Sequence, residues 1–102
     1  MSTQDTAPLE QFLPATERNV SQSFASAMLP DFLKAELAEK INNALQANGI
    51  PTASSPSTSA AQSGLSRAFS QAGGLPDTTK RALAQQVNRA VARTYDDRCR
   101  IS

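Results

Sequence analysis

The sequence predicts an all-α protein in which two copies of a helix-hairpin module, each about 45 residues long, close as a small four-helix bundle. Three observations lead there: an internal repeat, apolar residues spaced by three and four in each copy, and proline, glycine and aspartate placed where helices start and stop. Residues 29–47 read LPDFLKAELAEKINNALQA and residues 75–93 read LPDTTKRALAQQVNRAVAR. Aligned without gaps, 8 of 19 positions are identical, where roughly one or two would match by chance. The likeness continues upstream after a one-residue shift, with SQSFASA at 21–27 matching SRAFSQA at 66–72 and Val20 matching Leu65. Two copies are too few for a solenoid, so a closed bundle is expected.

Four regions follow along the chain. Residues 1–13 form an N-terminal segment with a short helical turn over Pro8–Leu13, where Leu9, Phe12 and Leu13 fall at i, i+3 and i+4 and Pro14 is expected to stop the turn. Residues 14–48 are the first module. Its short helix carries the stripe Val20, Phe24, Ala27 and Met28, and its long helix carries Leu33, Leu37, Ala38, Ile41, Ala44 and Leu45. Pro30 separates the two helices, Asp31 is placed to cap the second, and Asn48-Gly49 ends it. Residues 49–63 read as a flexible linker, because PTASSPSTSAAQS at 51–63 is rich in Pro, Ser, Thr and Ala. Residues 64–102 are the second module. Leu65, Ala68, Phe69 and Ala72 line its short helix, and Gly73-Gly74 ends that helix. Pro76 and Asp77 make the joint. Leu83, Ala84, Val87, Ala90 and Val91 then line the long helix, with Tyr95 extending the stripe along one edge.

The core these stripes can build is thin. Of 102 residues 39% are hydrophobic, but 17 of them are alanine, and Leu, Ile, Val and Phe together number nineteen. A chain of this size with so few large side chains often completes its core on a partner surface. Composition also removes several classes of function. There is no histidine, hence neither the usual general base nor the commonest metal ligand. The single cysteine, Cys99, forms no internal disulfide or thiolate cluster. Its flanking Arg98 and Arg100 favour a thiolate, but no acid–base partner is visible. No run of apolar residues is long enough to span a membrane, and MSTQDTAPLEQF lacks the layout of a signal peptide. The expectation is a cytoplasmic, non-catalytic protein with no metal and no cofactor.

What remains is surface. Phe12, Phe24, Phe32 and Leu33 are the candidate partner-binding residues, because Phe32 and Leu33 become Thr78 and Thr79 in the second copy and give the first extra apolar surface. That surface serves either as a dock for the Leu9/Phe12/Leu13 turn or as a face for another protein or a second copy of the chain. Charge is uneven: residues 1–48 carry a net −3 and residues 77–102 a net +3, while the whole chain is +1. The plain reading is complementarity between modules or between subunits packed head to tail. The alternative is a nucleic-acid-binding regulator that uses Arg81, Arg89 and Arg93 on the outer face of the last helix, although Asp96 and Asp97 dilute its field. A third reading is a structural subunit that assembles through its two related modules. Lys34/Lys80 and Asn42/Asn88 are polar positions shared by both copies and read as structural.

Overall fold

The computed structural model describes residues 8–50, 52, 57–70 and 75–101, and among them it contains four helices and no strand. They are α1 (Leu9–Ala25), α2 (Asp31–Ala47), α3 (Thr58–Phe69) and α4 (Asp77–Ile101). The expected stop at Gly73-Gly74 lies outside the described residues.

Local chemistry sets the helix ends, in places differently from expectation. Pro14 does not stop a turn: it sits inside α1, which runs through the expected boundary between residues 13 and 14. Proline lacks the N–H that would bond the carbonyl four residues back, that of Glu10. Both residues are exposed, so water can satisfy that carbonyl and the helix continues. α1 ends at Ala25, so Ala27 and Met28 leave its stripe and are exposed in the joint to α2. Asp31 does not cap α2. Pro30 is the N-cap, its carbonyl accepting from the Leu33 and Lys34 N–H groups at 3.1 Å, and Asp31 lies one residue inside, where its charge still suits the helix dipole.

The C-terminus of α2 behaves as expected. Gly49 takes φ +78°, the Gly49 N–H donates to the Gln46 carbonyl and the Ile50 N–H to the Leu45 carbonyl, both at 3.0 Å. This pair of bonds is a Schellman closure, and buried Ile50 joins Leu45 in the core as that motif favours. α3 begins within the stretch read as linker. Ser57 caps it by accepting from the Ala60 N–H at 3.1 Å, which makes 58–63 helical.

The bundle is assembled crosswise. α4 packs on α1 and α2, and α3 packs on α2 and α1, whereas the two helices of each copy barely touch each other. Each hairpin is therefore open, and each short helix lies on the long helix of the other copy. Exchanging the copies maps the α1–α4 contact onto α3–α2, so the packing keeps the symmetry of the repeat. Phe12 meets Arg81 and Thr16 meets Asn88, so α1 and α4 run side by side in the same direction. The long helices α2 and α4 run antiparallel, with Asn48 Nδ2 donating to Gln86 Oε1 at 3.4 Å and Lys40 paired with Asp97, and their Leu37, Ala38, Ile41, Leu83, Ala84 and Val87 are all fully buried in the core. The molecule measures 39 × 37 × 20 Å. At 1.5 Å per residue, α4 spans about 37 Å, nearly the full width.

Two predictions follow from this packing. A fragment ending at Ile50 separates α1 and α2 from the surfaces they cover, so at low concentration it should show little helix by circular dichroism. An equimolar mixture with a fragment starting at Ser57 should restore it, whereas a helical 1–50 monomer would contradict crosswise assembly. The second prediction concerns Gly64, where an added Cβ would lie 2.9 Å from Leu45 Cδ1. Gly64→Ala should destabilise the chain by about 1 kcal/mol in urea denaturation, because overpacking outweighs the gain in helix propensity. In a Leu45→Ala background, with the obstructing atom gone, the same change should instead stabilise by up to about 1 kcal/mol.

Candidate functional site

Crosswise packing sorts the candidate residues into core and surface. Phe12 (5% exposed) and Leu33 (1%) are buried, and neither is open to a partner. Phe12 belongs to the central cluster, and Phe24 is half-buried against that cluster. Phe32, by contrast, is 54% exposed. The cause lies in helix geometry: Leu33 is in register with Leu37, so its neighbour Phe32 points about 100° away from the core stripe. Met28, four residues earlier and across the Pro30 joint, is 58% exposed. Among the described residues these two are the large hydrophobic side chains left open to solvent. The sequence reading placed Met28 on the inner face of α1; the signal missed was the end of that helix at Ala25.

Phe32 heads an outer stripe of α2. Ala35, Glu36 and Glu39, at three, four and seven residues beyond it, are all exposed, and Asp31 stands beside it. Asp31, Glu36 and Glu39 make no ion pair among the described residues. The joint itself is held in place: Arg98 Nε, on the last turns of α4, donates to the Met28 carbonyl at 2.6 Å. The Met28 backbone is thus fixed to the bundle while its side chain faces water.

The three candidate arginines part company. The Arg81 guanidinium lies over the Phe12 ring, 5.7 Å from its centroid, and is half-buried there. Arg89 and Arg93 are exposed on the outer face of α4 and make no ion pair among the described residues. The nearby acids are engaged elsewhere. Asp96 pairs with Arg100 at 3.3 Å and Asp97 with Lys40 at 3.8 Å. Both pairs are well exposed and contribute little to stability.

Polar side chains inside the bundle serve the fold. Asn88 Nδ2 donates to Thr16 Oγ1 at 2.9 Å, and Asn19 Nδ2 donates to Asn88 Oδ1 at 3.3 Å. Thr16 passes its own hydrogen to the Phe12 carbonyl at 3.1 Å. Among the described residues no buried side-chain polar atom lacks a partner. Lys34 and Lys80 are both half-buried, and Asn42 is buried. Cys99 is an exposed thiol. No cluster of three or more metal-ligating side chains forms among the described residues, and no helix there is long and apolar enough to cross a membrane. The seam between α1 and α3 opens into adjoining depressions of about 340 and 290 Å³. Their apolar floor, including Val20 and Leu65, is almost fully buried, so the seam offers little apolar surface to a ligand.

No protein-family model matches the chain, and no curated protein or solved structure shows significant similarity to it.

Neighbouring substitutions separate surface from core. Phe32→Ala should change unfolding free energy by no more than about 0.5 kcal/mol, as an exposed site does. Leu33→Ala should cost about 2–5 kcal/mol. Urea denaturation followed by circular dichroism measures both, and a large loss for Phe32→Ala would return that residue to the core.

Proposed function

We propose that the chain is a small cytosolic, non-catalytic interaction protein that presents the outer face of α2 and the adjoining joint to another protein. One observation carries this reading: Met28 and Phe32 are both more than half exposed at one joint of a bundle whose other described large apolar side chains are buried or half-buried. Isolated exposed apolar residues are ordinary, but two large ones on one short, anchored stretch make a docking point. The mechanism is helix-face recognition. Phe32 and Met28 supply apolar contact, and the fringe of Asp31, Glu36 and Glu39 sets orientation and selects a basic partner. Buried Leu33 anchors α2 beneath this face without touching the partner, and Phe12 and Phe24 serve the core of the bundle.

A second reading uses Arg89 and Arg93 to bind nucleic acid. In its favour both are exposed and unpaired among the described residues. Against it, two arginines four residues apart reach few phosphates, and Arg81 is held on Phe12.

Replacing Phe32 with a photoreactive phenylalanine analogue tests the proposal in the cells that make the protein. Irradiation should give a discrete protein adduct that is lost when Met28→Ser is added. Absence of any protein adduct at position 32, with a nucleic-acid adduct from the same probe at position 89, would overturn it in favour of the second reading.

A further inference from the structure

Some charged side chains of this bundle are engaged and others are not, and the free ones are distributed unevenly. On the outer face of α2 the carboxylates of Glu36 and Glu39 flank the turn beyond exposed Phe32. On the outer face of α4 the free groups are Arg89 and Arg93, with exposed Ala92 between them. None of these four charges has an ion-pair partner among the described residues, although Lys40, Asp96, Asp97 and Arg100 nearby are all paired.

The two faces correspond through the repeat. The register that pairs Leu37 with Leu83 and Asn42 with Asn88 places Glu36 opposite Ala82, Glu39 opposite Gln85, Asn43 opposite Arg89 and Ala47 opposite Arg93. The outer face of α2 is therefore negative, and that of α4 carries Arg89 and Arg93, with the charge of Asp96 on the same face balanced by its pairing with Arg100. Inside, the matched pairs Leu37/Leu83, Ala38/Ala84 and Ile41/Val87 remain apolar and buried. Such a pattern does nothing for packing within one chain, where both faces look outward.

We infer that the outer face of α2, with Phe32, Glu36 and Glu39, is a docking surface for the outer face of α4, with Arg89 and Arg93, of a second copy of this chain. The inference rests on the proposed role of the α2 face in binding protein, and it names the partner. Charge complementarity selects the occupant. Arg89 and Arg93 are four residues apart and Glu36 and Glu39 three, so the two charge pairs have nearly equal spans, about 6 and 4.5 Å along their helices. Arginine also lies well against an aromatic face, which gives exposed Phe32 a polar-compatible cover. Because the two surfaces differ, the contact is heterologous: each bound copy still offers one face of each kind, and chains or rings can grow.

Light scattering on the full chain tests this with charge swaps. At about 0.01 M salt the mean mass should rise above 10.8 kDa as protein concentration increases, and at about 1 M salt, where screening acts within about 3 Å, it should return to 10.8 kDa. Glu36→Lys with Glu39→Lys should abolish the rise, and so should Arg89→Glu with Arg93→Glu. An equimolar mixture of these two variants should recover it, since each then carries the face that the other lacks. Phe32→Ala should shift the rise to higher concentration. Circular dichroism checks that the variants keep their helix; if either pair of changes lowers it, Glu36→Lys and Arg93→Glu alone carry the same test. A monomer in both salts, association unchanged at high salt, or a mixture that stays monomeric would each overturn the inference. A monomer that still yields a foreign protein adduct at position 32 would overturn only the second copy as partner and leave the docking reading standing.

Discussion

The antiparallel packing of α2 on α4 is the constraint on which the rest of the structure depends. Asn48 bonds Gln86 near one end of this contact and Lys40 pairs with Asp97 toward the other, while Leu37, Ala38, Ile41, Leu83, Ala84 and Val87 are left with no exposed surface in the one core cluster they share. Once the long helices pack in this way, each has an apolar flank that its own short helix does not cover. The short helix of the other copy fills it. An open hairpin thus goes with the packing of the long helices on each other. It also explains how nineteen large aliphatic and phenylalanine side chains suffice, since the long helices bury surface against three partners between them.

The two symmetry-related flanks are closed by different chemistry. Where α1 lies on α4, Thr16, Asn19 and Asn88 form a short hydrogen-bonded chain that ends on the Phe12 carbonyl. At the same offset in the repeat, α3 carries Ala61 and Gly64 in place of Thr16 and Asn19. Ala61 is fully buried, and Gly64 leaves room for Leu45 where a methyl group would collide. One flank is thus specified by polar pairing and the other by close approach. The polar flank favours one register because a slip would part the buried Thr16 from Asn88. The close flank fixes it because only a residue without a side chain fits beside Leu45.

Much of this was legible in the residues. The repeat and the three-and-four spacing identified the long helices and nearly all of their buried positions, because burial on a helix is periodic and the period is visible. Asn48-Gly49 was equally plain, since a left-handed residue at a helix end calls for glycine. The boundaries that escaped depend on surroundings. A proline inside a helix is tolerated where the carbonyl it orphans can reach water, and nothing in the local sequence around Pro14 distinguishes an exposed carbonyl from a buried one. Ser57 stands among several serines and threonines, any of which could cap, so the start of α3 was hidden in its own composition. Met28 was assigned to the core because its spacing from Phe24 fits a helix that in fact ends three residues before it.

The crosswise arrangement itself was not legible, and the reason bears on function. A stripe says that a helix face is buried but not which helix buries it, so hairpin and interlocked packings share one pattern. Sequence reading consequently grouped Phe12 and Leu33 with Phe32 as a single apolar surface. Interlocking withdraws Phe12 and Leu33 into the core and leaves Phe32 outside, beside carboxylates that no cation in the described structure answers. The repeat gives both long helices the same inner face, and packing uses both of those faces up. The outer faces were then the part of the repeat free to diverge, and they diverged in sign of charge: acids on α2, arginines on α4. In a fold where the inner surface is committed twice over, that outer difference is the property by which one copy of the module can be told from the other.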